Sequence, residues 1–205
     1  YHMLYQHRDF DEAEKFIDCL IEKLVPEDNS TFLDLACGKG RHAYYLAKKG
    51  YVVKGVDLSS ESIDSAEKDF RLENLSFNVH DMRFNMQDER FDYVFNFFTS
   101  FGYFENKNDN FRAIESIATA LRPQGFLVID FMNARKVMDN LLQQEEKTLN
   151  EVDFHIRRYV EHGFIVKEIN VLDSANDRSL QFEERVQVLA LSDFKRFFKK
   201  PRYGW

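Results

Sequence analysis

Four polar side chains stand at the ends of short apolar runs, and their types limit what they can hold. Asp34 lies in TFLDLACGKG (Thr31 to Gly40), Asp57 closes YVVKGVD, Asp81 follows Leu75 to Val79 and His80, and Asn96 falls in the run Phe91 to Phe98. Carboxylates accept hydrogen bonds from hydroxyls and amines, while an amide both donates and accepts. Such a set suits a ligand carrying several donors. After Asp34 come Gly38 and Gly40, and Gly38-Lys39-Gly40-Arg41-His42-Ala43 fits the G-x-G-x-x-A pattern. Glycines let the backbone turn sharply and a ligand approach without a Cβ in the way, with free N–H groups at the following helix start. A strand, a glycine turn and a helix in that order point to a nucleotide-type cofactor.

Charge chooses between two cofactor classes. A dinucleotide would lay a doubly negative pyrophosphate on the Gly38 to Gly40 turn, where Asp34 would repel it. S-adenosylmethionine carries an ammonium and a sulfonium, which a carboxylate near the turn tolerates, and its adenine amine can donate to a further acid such as Asp81. Asp57, seventeen residues beyond Gly40, falls where a ribose-binding carboxylate belongs. The methyl donor is the preferred cofactor.

The runs LDLACGKGRH, GVDLS, HDMR and NFFTSFGYF, in this order, resemble successive motifs of class I S-adenosylmethionine-dependent methyltransferases, over about Asp9 to Asn133. The resemblance implies that Ala36, Gly38 and Gly40 line the methionine end and that Asp57 holds the ribose hydroxyls. It implies that Leu58 packs on the adenine, that Asp81 receives the adenine amine beside Met82, and that Asn96 lies near the sulfonium. In enzymes of this kind a segment such as Tyr1 to Arg8 folds over the cofactor, which makes Tyr5 and Arg8 candidates to touch substrate; an ordinary lead-in to the first helix is the alternative. A final helix followed by a sixth strand and an antiparallel seventh is also implied. Only Pro201 to Trp205 follow Ser192 to Lys200 here, and the first residue is Tyr1. The expectation is a shortened chain, with a meander strand or a partner subunit filling the edge of the fifth strand as the other possibility.

The elements that must position these residues alternate. Phe10, Ala13, Ile17, Leu20 and Leu24 form one helical stripe within Asp9 to Val25, ended by Pro26. Helical patterns follow over Arg41 to Lys49, over Ser59 to Leu72 with Ser59 as cap, and over Asn108 to Leu121. Arg122 to Gly125 reads as a turn before a strand over Phe126 to Phe131. Strand and helix in alternation predict an α/β, Rossmann-like, mainly parallel doubly wound sheet over residues 1–133. Beyond a helical piece to Leu142 and a polar connection, Gln143 to Asn150, come three alternating runs, Val152 to Val160, Phe164 to Leu172 and Leu180 to Leu189. They predict an inserted antiparallel β meander over residues 134–190, serving as lid, dimer surface or extension. A final helix capped at Ser192 belongs to 191–205.

Methyl transfer from a sulfonium is an in-line displacement from an activated donor, so the protein mainly aligns the acceptor and excludes water. The loop Asn96 to Phe104 is where an acceptor should lie, with Phe98 as wall, Thr99 and Ser100 as hydrogen-bonding groups and Tyr103 as phenol. Candidate bases are Tyr103, His42 and His80. The loop lacks the Asn/Asp-Pro-Pro-aromatic tetrad and the Pro-Cys pair of methylases acting on nucleic acid or protein glutamine, which leaves a small-molecule acceptor. Net charge of −7 argues against a nucleic-acid partner. No apolar run is long enough for a membrane span, so the chain is expected in the cytoplasm as a monomer or homodimer. Cys19 and Cys37 form no metal or redox motif and the six histidines have no ligand spacing, so no metal is expected. A nicotinamide-dependent oxidoreductase and a donor-binding protein without turnover are the alternatives.

Overall fold

The computed structural model describes residues 10–86, 89–173, 176 and 178–199. Within them the chain forms two units, one of residues 10–100 and 106–131, the other of 101–105 and 132–199. Tyr5 and Arg8 lie outside the described residues.

The first unit starts with α1 (Phe10–Leu24). Ala13 and Ile17, one turn apart, are fully buried, and Phe16, Leu20, Ile21 and Leu24 flank them, which is the stripe expected of a helix with one apolar face. There follow β1 (Thr31–Leu35), α2 (Arg41–Lys48), β2 (Val52–Asp57), α3 (Ser60–Asp69), β3 (Leu75–Val79), β4 (Phe91–Asn96), α4 (Lys107–Ala120) and β5 (Leu121–Ile129). The strands lie in the order β3-β2-β1-β4-β5, every pairing parallel. The chain steps outward from β1 to β3 and then returns to the other side of β1. That reversal puts the topological switch point between β1 and β4, where ligands of open α/β sheets bind. Four of five β1 residues are buried, as a strand covered on both faces requires. Phe32 stacks on Tyr93 at 4.6 Å and meets Phe95 edge-on at 5.3 Å. Each fully buried ring of this kind stabilises the sheet by about 1.5–3 kcal/mol.

Several boundaries differ from expectation. The α3 helix stops at Asp69, because Phe70 turns to an extended backbone with φ −128°; Ser59 caps it as expected, its hydroxyl accepting from the Ser62 N–H. Strand β4 stops at Asn96, because Phe98 and Thr99 take positive φ angles of 54° and 57°. The turn expected over Arg122 to Gly125 is instead an irregularity inside β5, which starts at Leu121 and shifts register against Phe91 and Tyr93. Gln124 has φ 67° there, and a Cβ on Gly125 would lie 2.9 Å from the Asp92 carbonyl oxygen. Glycine is what lets β5 pass close to β4. Among the described residues no strand pairs with the free side of β5.

The second unit carries α5 (Ala134–Asp139), then β6 (Gln144–Leu149), β7 (Val152–Glu161), β8 (Phe164–Asp173) and β9 (Arg178–Gln187) as an antiparallel meander in chain order, and α6 (Leu191–Lys199). The meander has four strands, not three, since the polar connection Gln143 to Asn150 is itself β6. No meander strand joins the parallel sheet, which removes that way of covering β5. Phe154, Ile156, Ile169 and Val171 form its core cluster, with Leu149, Val152 and Phe182 against them. The α6 helix is not capped at Ser192. It begins one residue earlier, and Asp193 reaches back to accept the Ala190 N–H at 2.9 Å.

Candidate functional site

The glycine turn is built from the end of β1. Ala36, Gly38 and Gly40 all take left-handed φ angles, 63°, 56° and 80°. The two glycines have different reasons. A Cβ on Gly40 would lie 2.5 Å from the Phe77 ring, whereas a Cβ on Gly38 would meet nothing within 4 Å. Gly40 is required by packing, and Gly38 borders open space that a ligand can fill.

Asp57, the last residue of β2, holds this turn. Its Oδ2 accepts the Gly38 N–H at 2.8 Å and its Oδ1 accepts the Ser59 N–H at 2.9 Å. Two donors leave about two lone-pair sites of the carboxylate for a ligand. Leu58, next in the chain, is 69% exposed, and Val79 at the end of β3 is 53% exposed. Apolar side chains left open at two neighbouring strand ends suit the faces of a planar base.

Asp34 and Asn96 supply buried acceptors at the switch point. Asp34 is 1% exposed; one side-chain oxygen accepts the Ala43 N–H in the first turn of α2, and Oδ2 finds no donor. Burial, offset in part by the Ala43 N–H and reinforced by the charge of Asp57, pushes its carboxyl up to about 7. Asn96 is fully buried, its Nδ2 donates to the Leu35 carbonyl at 2.7 Å, and its Oδ1 is without a donor. Acids and unmatched acceptors make this end of the sheet suited to a cation and hostile to a pyrophosphate. The residues present therefore fit S-adenosylmethionine, with its ammonium and sulfonium, better than a dinucleotide. Burial and the same two acids push the Cys37 thiol up, so it is no nucleophile.

Asp81 accepts from its neighbour Arg83, and Met82 between them is half-buried. His80 donates from Nε2 to the Phe84 carbonyl at 2.9 Å. His42, in α2, is buried, stacked on Phe98 at 5.1 Å and edge-on to Phe97 at 5.3 Å. The Arg41 guanidinium lies 4.8 Å over the same Phe98 ring. Past β4, Asp130 shapes the loop: its Oδ2 accepts the Phe98 N–H and its carbonyl the Thr99 N–H, both at 3.0 Å. The Ser100 hydroxyl donates to the Phe97 carbonyl at 2.7 Å and closes the turn.

The first unit thus brings Asp34, Ala36, Gly38, Gly40, Asp57, Leu58, Asp81, Met82 and Asn96 to the carboxyl ends of its strands, with Phe98, Thr99 and Ser100 following β4. Tyr103 belongs to the second unit. There the Gln187 side chain and backbone donate to the Phe104 and Gly102 carbonyls, and Tyr103 is 47% exposed. Sequence reasoning missed Asp130 and Arg83. An acid inside the apolar run FLVIDF was the available signal for Asp130; Arg83 sits inside HDMR, but nothing in its spacing shows where its guanidinium turns.

With this geometry in hand, comparison with known proteins places the chain. The profile of the methyltransferase-domain family matches residues 32–125. The putative methyltransferase YqeM of Bacillus subtilis (strain 168) is 34% identical over 141 residues, covering 68% of this chain and 55% of that protein. A S-adenosylmethionine-dependent methyltransferase from Clostridium acetobutylicum ATCC 824 matches in structure with a TM-score of 0.80 at 21% identity, covering 93% of this chain and 79% of that one. CalS10 with S-adenosylmethionine bound, an amino pentose methyltransferase from Micromonospora echinaspora involved in calicheamicin biosynthesis, matches with a TM-score of 0.77 at 21% identity, covering 97% and 86%. At such identities the structural likeness establishes the fold. The chain spans about half the length of the Bacillus subtilis relative.

Proposed function

We propose, from the premise that residues 32–125 belong to the methyltransferase-domain family and that the chain carries the class I S-adenosylmethionine-dependent fold, that it transfers a methyl group from S-adenosylmethionine to a small-molecule acceptor. The observation that carries this is the Asp57 carboxylate fixed on the N–H of Gly38, beside open space and next to the unmatched acceptors of Asp34 and Asn96. When bound, the cofactor supplies a methyl group already activated on a sulfonium.

What remains for the protein is holding, orienting and drying. Asp57 accepts the ribose hydroxyls, Leu58 packs on the adenine, and Asp81 with Met82 receives its amine. Ala36, Gly38 and Gly40 shape the methionine end, Asp34 and Asn96 keep its surroundings negative, and Phe98, Thr99 and Ser100 face the acceptor. Tyr103 is the first base to test, being the most exposed of the three candidates; His42 and His80 follow. Tyr5 and Arg8 remain candidate acceptor contacts. The antiparallel unit is assigned acceptor selection on its place in the chain alone. Amino sugars head the acceptor panel because CalS10 is an amino pentose methyltransferase. Unpaired Cys19 and Cys37 suit a reducing cytoplasm.

Calorimetry tests the donor. S-adenosylmethionine and S-adenosylhomocysteine should bind and raise the melting temperature, while reduced nicotinamide dinucleotide does neither. Binding of the dinucleotide in their place overturns the proposal. Release of S-adenosylhomocysteine with one member of the acceptor panel, and its absence without acceptor, tests transfer.

A further inference from the structure

Arg83 lies two residues past the end of β3 and makes a fork between two elements. Its Nε stands 3.0 Å from both Asp81 oxygens, its Nη2 2.5 Å from Asp81 Oδ2, and its Nη1 3.1 Å from Asp109 Oδ2 in the first turn of α4. Its own backbone N–H donates to Asp81 Oδ1 at 3.0 Å, an Asx turn that fixes the carboxylate from below. Asp109 is also held by Arg112 at 3.3 Å.

A single ion pair on the surface contributes little. This one differs in geometry and place. The side chains of Asp81 and Asp109 are only 16% and 15% exposed, and the guanidinium bridges them in two directions. A bidentate fork sets the plane of a carboxylate, which a lysine ammonium cannot do.

The count of acceptor sites then has a consequence for a ligand. A carboxylate offers about four lone-pair sites. Three donors from Arg83, the backbone N–H, Nε and Nη2, occupy three of them. One site is left, in a fixed direction. It can receive one N–H, and as part of an ionised carboxylate it repels a carbonyl oxygen placed at the same spot.

We propose that Arg83 is a positioning residue that makes the cofactor site selective for a 6-amino purine: by filling three sites of Asp81 and tying it to Asp109, it leaves a single aimed acceptor that takes the adenine amine and rejects a 6-keto purine. The proposal rests on the cofactor assignment above and adds which residue enforces the choice of base. Arg83 holds the carboxylate ionised, and the guanidinium keeps its carboxyl below the usual range. Discrimination by a hydrogen-bonding site of this kind exceeds what an apolar slot achieves, because the wrong ligand leaves buried polar groups unpaired.

The test is calorimetric titration of the whole chain with S-adenosylhomocysteine and with S-inosylhomocysteine, its 6-keto counterpart. Wild-type protein should prefer the amino form by at least tenfold. Arg83→Met should weaken the amino form by roughly five- to thirtyfold and the keto form by less than twofold, collapsing the ratio. Arg83→Lys should behave like Arg83→Met despite keeping the charge, and Asp109→Asn, which leaves the Arg83–Asp81 fork in place, should give an intermediate ratio. A ratio unchanged in Arg83→Lys, or equal losses for both nucleosides in every variant, overturns the role of Arg83. No binding of either nucleoside to wild-type protein sinks the cofactor assignment itself, a distinguishable failure. Should Arg83→Met not fold, the ratios for Arg83→Lys and Asp109→Asn decide the matter.

Discussion

The carboxylate of Asp57 meets the backbone N–H of Gly38 at 2.8 Å, so the residue assigned to the ribose also holds the turn assigned to the methionine end. A side chain that preorganises a loop and touches the ligand has two effects when it is removed. Asp57→Ala should lower affinity for S-adenosylhomocysteine by about 1.5–3 kcal/mol, because charged hydrogen bonds are lost. The melting temperature should fall as well, since the Gly38 N–H loses its acceptor. Unchanged affinity by calorimetry refutes the ribose role.

Gly38 and Gly40 should separate binding from folding. Both are left-handed, so alanine costs about 1–2 kcal/mol at either place. At Gly40 the new methyl also meets the Phe77 ring at 2.5 Å, and at Gly38 it meets nothing. Gly40→Ala should therefore lower the melting temperature much more than Gly38→Ala. Gly38→Ala should cost more in cofactor affinity, its methyl standing where the ligand approaches. Equal thermal losses with equal affinity losses would remove the distinction.

Asp34 makes stability depend on pH. Its carboxyl is raised from 3.8 to about 7, chiefly by burial. In the unfolded chain the group is ionised above about pH 4; in the folded protein it keeps its proton up to about pH 7. Between those values the folded state binds more protons, so the stabilising contribution is full below pH 4 and is lost as pH rises through 7. Asp34→Asn removes this slope. Melting curves of wild type should fall from pH 5 to pH 8 relative to those of the variant, and parallel curves would show that Asp34 is ionised throughout.

The parallel sheet was legible because its strands announce themselves. Phe32, Leu33 and Leu35 are apolar in a run too short for a helix, with glycines directly behind, and Val53 and Val56 repeat the pattern. The β6 strand was hidden, since Gln144, Glu145, Glu146 and Lys147 are polar residues on a sheet edge, where pairing comes from β7 and not from apolar alternation. Within the site, the acids at strand ends could be read from position. The fork from Arg83 could not, because it depends on bringing Asp109 of α4 to the end of β3, a contact between residues 26 apart in the chain. The left-handed Phe98 and Thr99 were equally invisible; Asp130 holds them there from the neighbouring strand.

Thr99 carries the last prediction. A β-branched residue with φ 57° is out of place, and such strain persists where surrounding bonds overdetermine it, commonly at functional sites. Here the bonds are visible: Thr99 donates its N–H to the Asp130 carbonyl, and the preceding N–H of Phe98 goes to the Asp130 carboxylate. Asparagine tolerates the left-handed region and keeps a polar side chain, so Thr99→Asn should relieve about 1 kcal/mol of strain and raise the melting temperature by a few degrees. If the threonine is retained for its hydroxyl at the acceptor, the same variant should lose turnover while its affinity for S-adenosylhomocysteine stays that of wild type. A more stable variant with undiminished turnover would show that the strain serves no acceptor. A less stable one would show that the Thr99 side chain is a packing contact whose loss outweighs the relief.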